Sequence, residues 1–67
     1  MIIDDKLQNA YDLGYESMQL NIKSMGFKAA NSMFNDTYPV GQPYTGSREG
    51  YYYSKGEFGA LLQESEL

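Results

Sequence analysis

Asp5-Lys6-Leu7-Gln8-Asn9-Ala10-Tyr11-Asp12-Leu13-Gly14-Tyr15-Glu16-Ser17-Met18 decides the fold of this 67-residue chain. Carried on through Ile22, Met25 and Ala29, the stripe Leu7, Tyr11, Gly14, Met18 advances in steps of four and three. That spacing puts side chains on one stripe of an α-helix. Asp5, Asp12, Glu16, Gln19 and Lys23 fall on the opposite face. Asp4 or Asp5 caps the start, where an acid also complements the positive helix end. Gly14 sits inside the stripe and costs about 1 kcal/mol against alanine. It is either a tolerated weakness or a place where another backbone comes close.

Outward from this stretch, the first helix is expected over about residues 4–31. Gly26 offers a break. As a left-handed residue after the last turn it would let Phe27 fall back onto Ile22. Lys28–Phe34 then forms a short extra helix; otherwise the helix runs through. Residues 35–46 hold both prolines of the sequence and two glycines, Gly41 and Gly46, and read as a loop. Its tyrosines, Tyr38 and Tyr44, either cap the small core or serve a ligand.

Ser47-Arg48-Glu49-Gly50 resembles a helix cap with an acid in the first turn, so a second long helix is expected over about 47–64. Tyr51, Ser54, Phe58, Leu61 and Leu62 make its expected inner face. Tyr52 is then at the border, and Tyr53 points out beside Glu49, Gly56 and Ala60. Gly50, Gly56 and Gly59 weaken an isolated helix. Together with Gly14 they are expected at close helix packing. The expected fold is all-α: a helical hairpin of a long amphipathic helix, a Pro/Tyr loop and a Gly-rich second helix, in one domain over residues 1–67.

Three short motifs carry a family resemblance. Ala10-Tyr11-Asp12-Leu13-Gly14-Tyr15 resembles the A-Y-x-x-G-Y opening of ribosome modulation factor-like proteins. Asp36-Thr37-Tyr38-Pro39-Val40-Gly41 resembles their N-P-Y-P-x-G loop, and Arg48-Glu49-Gly50-Tyr51 their second R/W-x-x-G-W/Y element. The resemblance spans about residues 10–60. It implies two helices joined by a proline-containing loop, and association with the ribosome. It also implies kinship with small phage and mobile-element proteins, which often bind a host machine and block or redirect it. The chain departs from the family in being acidic, in the longer interval before the loop, and in carrying Tyr where Trp is usual.

Composition narrows the chemistry. Nine acids against five bases give a net charge of −4, with no cysteine and no histidine. Disulfides, thiolate metal sites, cysteine nucleophiles and histidine bases are excluded. The acid pairs Asp4/Asp5, Asp12/Glu16 and Glu64/Glu66 lie at helix ends or on the solvated face, so no catalytic residue, metal ligand or cofactor site is expected. Seven tyrosines and three phenylalanines offer stacking platforms, but the cations are too scattered for a nucleic-acid footprint. Direct nucleic-acid binding is therefore disfavoured, and imitation of nucleic acid by carboxylates is a weaker alternative to an ordinary soluble face. With no signal-peptide pattern and no membrane-length apolar run, the expected location is cytoplasmic.

Leu13, Leu20 and Phe27, seven apart, form a second apolar line away from the first stripe. Either a bent helix buries them or another subunit or protein does. The expected partner-binding residues are Leu13, Leu20 and Phe27 on one surface and Tyr38, Tyr44, Tyr52 and Tyr53 on another. The expected function is a small non-catalytic inhibitor or modulator that docks on a larger protein or ribonucleoprotein complex, with homodimerisation as a further option. The alternative is a ribosome-associated silencing factor.

Overall fold

Asp4 starts the first helix from an extended backbone, and its carboxylate accepts a hydrogen bond from the Lys6 N–H at 2.9 Å. Helix α1 runs Asp5–Met25, with Asp5 in its first turn and Lys23 in its last, each opposing the local end of the helix dipole. In this computed structural model, residues 4–39, 41–42 and 44–65 are described. Val40 and Pro43 of the expected loop, and Glu66 of the acid pair Glu64/Glu66, lie outside them.

Of the two readings at Gly26, the break is the one that holds: the stretch expected over about 4–31 is two helices. Gly26 has φ 90° and ψ 156°, a region open in practice only to glycine. Its extended ψ makes it a corner rather than the left-handed cap anticipated for this position. Its N–H still donates to the Ile22 carbonyl at 2.8 Å, and its own carbonyl accepts from the Ala30 N–H at 3.1 Å. One residue thus closes α1 and opens α2 (Phe27–Thr37). The connecting loop is correspondingly shorter than expected. Ser47 then starts α3 (Arg48–Ser65): its Oγ accepts from the Gly50 N–H at 3.1 Å and its carbonyl from the Tyr51 N–H at 3.0 Å.

The fold is all-α and of the expected hairpin type, but the short helix after Gly26 is the return leg, so the two long helices lie side by side without being antiparallel. Along the seam of α1 and α3, Ala10 and Gly50 line one hollow, Leu13 and Tyr53 the next, and Ile22 and Gln63 a third. The numbers rise together, so the two long helices run in the same direction. Helix α2 comes back between them in sequence, stacking Phe34 on Phe58. Met18, Ala30, Ala60 and Leu61 form the buried centre, with Tyr15, Ile22, Phe27 and Phe34 packed around it.

Helix α1 packs mainly on α3, and two glycines set how closely. A Cβ on Gly14 would collide with the Tyr53 carbonyl and lie 3.1 Å from the Tyr53 Cα. A Cβ on Gly56 would collide with the Tyr11 carbonyl and lie 2.8 Å from the Tyr15 nitrogen. The contacts are reciprocal: Tyr11-x-x-Gly14 on one helix meets Tyr53-x-x-Gly56 on the other. Backbones this close bring Cα–H groups onto facing carbonyls, a weak but repeated attraction. Gly50 and Gly59 play a different part. The Tyr44 hydroxyl lies over Gly50, and the Tyr11 hydroxyl would sit 2.7 Å from a Cβ on Gly59.

This crossing shifts the expected inner face of α3. Leu61 is buried as expected, but Gly56 and Ala60 are buried with it, whereas Tyr51, Phe58 and Leu62 are exposed. Tyr53 is half-buried at the seam and does not point away from it. The reason is thickness: only small residues let two helices touch backbone to backbone, so the large side chains move to the flanks. In the first stripe, Leu7, Gly14 and Met18 are buried but Met25 and Ala29 are exposed. The corner at Gly26 resets the helical phase, and Ala30 faces the core instead.

Gly14→Ala and Gly56→Ala should each destabilise the fold by about 1–3 kcal/mol, because overpacking outweighs the gain in helix propensity. Gly59→Ala should cost much less, since only the tip of the Tyr11 side chain must move. Urea unfolding followed by helical circular dichroism measures all three. A Gly14→Ala variant as stable as the parent would mean that the backbones do not meet there.

Candidate interaction surfaces

Two surfaces stand out, one on each side of the glycine seam. The first is a groove whose walls are α1 and α3. One hollow of about 400 Å³ is lined by Lys6, Asn9, Ala10, Leu13, Glu49, Gly50 and Tyr53. A second, of about 350 Å³, is lined by Leu13, Glu16, Ser17, Leu20 and Tyr53. Leu13 and Tyr53 belong to both, so the hollows are one continuous trough. No residue of α2 lines it. Leu13 is 60% exposed and Leu20 62%. Leucines this open on a small domain mark a face that water covers poorly.

The expected line Leu13, Leu20, Phe27 is therefore only partly assembled. Leu13 and Leu20 share the groove, but Phe27 packs against the buried cluster beside Ile22. It lies past the corner at Gly26, where the seven-residue spacing no longer describes one helix.

The second surface is a row of rings. Phe58 stacks on Phe34 with centroids 5.9 Å apart, and Phe34 meets Tyr38 at 5.1 Å. Tyr38 meets Tyr44 at 6.3 Å, Tyr44 meets Tyr51 at 5.7 Å, and Tyr51 meets Tyr52 edge-on at 5.6 Å. Every separation lies in the range for favourable aromatic pairs. The Lys55 ammonium lies 5.2 Å above the Tyr51 ring, a cation–π contact at the border. Helix α2, the loop and α3 are tied together by this row. It brings together Tyr38, Tyr44 and Tyr52 of the expected tyrosine surface. Tyr53 belongs instead to the groove, with Leu13.

Phe34, Tyr51, Phe58 and Lys55 were not among the expected surface residues. Phe34 and Tyr38, the latter capping the end of α2, are four apart, as are Tyr51 and Lys55 on α3, and such pairs are neighbours on a helix surface. Extending α2 as far as Thr37 was the missing step that makes the first pair visible. A second, smaller hollow lies at the loop, lined by Thr37, Tyr38, Pro39, Gln42, Tyr44 and Thr45. There the two tyrosines of the loop are walls of the surface.

The electrostatics of the row centre on Tyr38 and Glu57. Burial pushes the Tyr38 hydroxyl above its ordinary value, and the Glu57 carboxylate and neighbouring tyrosines add to the shift. Burial also raises the Glu57 carboxyl. Among the described residues, no group of three or more acids is placed to hold a metal ion, and no helix is long and apolar enough to cross a membrane. No buried side-chain polar atom among them lacks a hydrogen-bond partner.

No family model matches this chain, and neither the curated proteins nor the solved structures yield a match. The functional reading rests on the surfaces themselves.

Glu57 gives a pH dependence with a definite sign. A carboxyl raised in the folded state binds its proton more tightly folded than unfolded. Its contribution to stability is full below the unfolded value and is lost as pH rises through the folded value. Glu57→Gln should therefore raise the melting temperature at neutral pH and leave it nearly unchanged in mild acid. Thermal melts of both proteins across pH 4–7 test this, and a Glu57→Gln variant less stable at neutral pH would refute it.

Proposed function

We propose that this chain is a small non-catalytic binding protein that docks on a larger host protein or complex and inhibits or modulates it. The observation that carries the reading is the aromatic row. Six rings in mutual contact run across α2, the loop and α3, and Tyr44, Tyr51 and Phe58 in it are 39%, 39% and 50% exposed. A chain with so small a buried centre gains more by folding such rings inward than by leaving them in water. Tyrosine and phenylalanine are enriched where proteins bind one another, and such rings contribute much of the binding energy.

Each ring already packs on at least one other ring of the row, so less side-chain freedom is lost when a partner covers them. Lys55 stands at the border, and the chain as a whole carries nine acids against five bases, which favours a protein partner over a phosphate backbone.

Affinity capture from bacterial lysate at low and high salt, with mass spectrometry, tests the proposal. The expected result is a stoichiometric protein partner retained at high salt. Capture should fall about tenfold or more in a Tyr51→Ala/Phe58→Ala variant that keeps its helical signal. Ribosomal subunits that are released at high salt would favour the ribosome-associated alternative. Undiminished capture by the double variant would take the row out of the interface.

A further inference from the structure

We infer that the groove between α1 and α3 receives a second copy of this chain, related by a two-fold axis parallel to the two helices. The groove is charge-complementary to itself. Lys6 stands on the α1 wall and Glu49 on the α3 wall, at the same end of the trough. Because α1 and α3 run in the same direction, a two-fold along them keeps every residue at its own height and exchanges the walls. Helix α1 of each copy then faces α3 of the other. Lys6 meets Glu49 of the other copy twice, and Leu13 meets Tyr53 twice, as an isologous interface requires.

The other two-fold, perpendicular to the helices, is disfavoured by the same residues. It would lay the two α1 helices antiparallel about a point midway between Leu13 and Leu20. Glu16 lines the groove there, and its two copies would come together. The parallel axis keeps the two Glu16 side chains on diagonal corners. The side-chain sizes agree as well: the exposed Leu13 and Leu20 alternate along the groove with the small residues Ala10 and Ser17, the pattern that lets large side chains of one helix enter gaps on another. Among the described residues, the buried centre of one copy has a single large, fully enclosed side chain, Met18. A four-helix core formed by two copies supplies what one chain of this size lacks.

This inference uses different residues from the aromatic row, so the two fail separately. The test is sedimentation velocity over a concentration series, with helical content checked for each variant. The parent should dimerise. Lys6→Glu or Glu49→Lys alone makes both symmetric pairs repulsive and should weaken the dimer roughly tenfold. The Lys6→Glu/Glu49→Lys double reversal should restore it, and Leu13→Glu should give a helical monomer. A parent that stays monomeric up to about 1 mM overturns the inference. So does a dimer that the double reversal fails to rescue. A monomeric parent whose host capture is lost in Leu13→Glu would assign the groove to the host protein instead.

Discussion

The meeting of two backbones at Gly14 and Gly56 is the constraint on which the rest of the structure depends. Each glycine lies against the carbonyl of a tyrosine three residues before the other glycine, so the contact is a matched pair. Helices that touch this way leave no room for large side chains at the seam. The interior is correspondingly thin, and Met18, Ala30, Ala60 and Leu61 are enough to fill it. The tyrosines and phenylalanines that would otherwise make a core are displaced to the flanks. The close packing of α1 on α3 and the open aromatic row are thus two results of one geometry.

The second consequence concerns α2. The corner at Gly26 reverses the chain with one residue in a conformation that a side chain would resist. The long helices are brought side by side in the same direction only because α2 carries the chain back. That shared direction gives the groove its symmetry, with Lys6 and Glu49 at one level and Leu13 and Tyr53 at the next. An antiparallel pair would have placed Lys6 and Glu49 at opposite ends of the trough. The return leg therefore settles what the groove can recognise.

Much of this was legible in the residues and some was not, for reasons that can be named. The spacing Leu7, Gly14, Met18 marks the buried face of α1 correctly because each turn there contributes one residue to the seam. The same rule misreads α3, because it ranks Tyr51 and Phe58 above Gly56 and Ala60 as inner residues. Hydrophobicity measures what gains by burial, whereas a backbone contact selects for what takes up no space. Tyr53-x-x-Gly56 repeats Tyr11-x-x-Gly14, and that echo was the available signal for the true face. Phe27 illustrates a different loss. Its seven-residue distance from Leu20 carries meaning only within an unbroken helix, and Gly26 stands between them. The tyrosine row depends on a turn of chain through the loop, which brings Tyr44 between Tyr38 and Tyr51. No periodicity encodes that.

Glu57 shows how the same geometry bears on binding. It is half-buried and near enough to Tyr38 for its charge to raise that hydroxyl, in a place where the charge itself is disfavoured by lost hydration. A carboxylate kept at such a cost opposes the packing of α3 around it. A partner that covered the row and offered Glu57 a hydrogen-bond donor would remove that opposition. Its binding and that packing would then be one equilibrium, with the partner's affinity expressed as stability of the fold. A domain with so thin an interior is well suited to such coupling, because a modest contact energy is a large fraction of what holds it together.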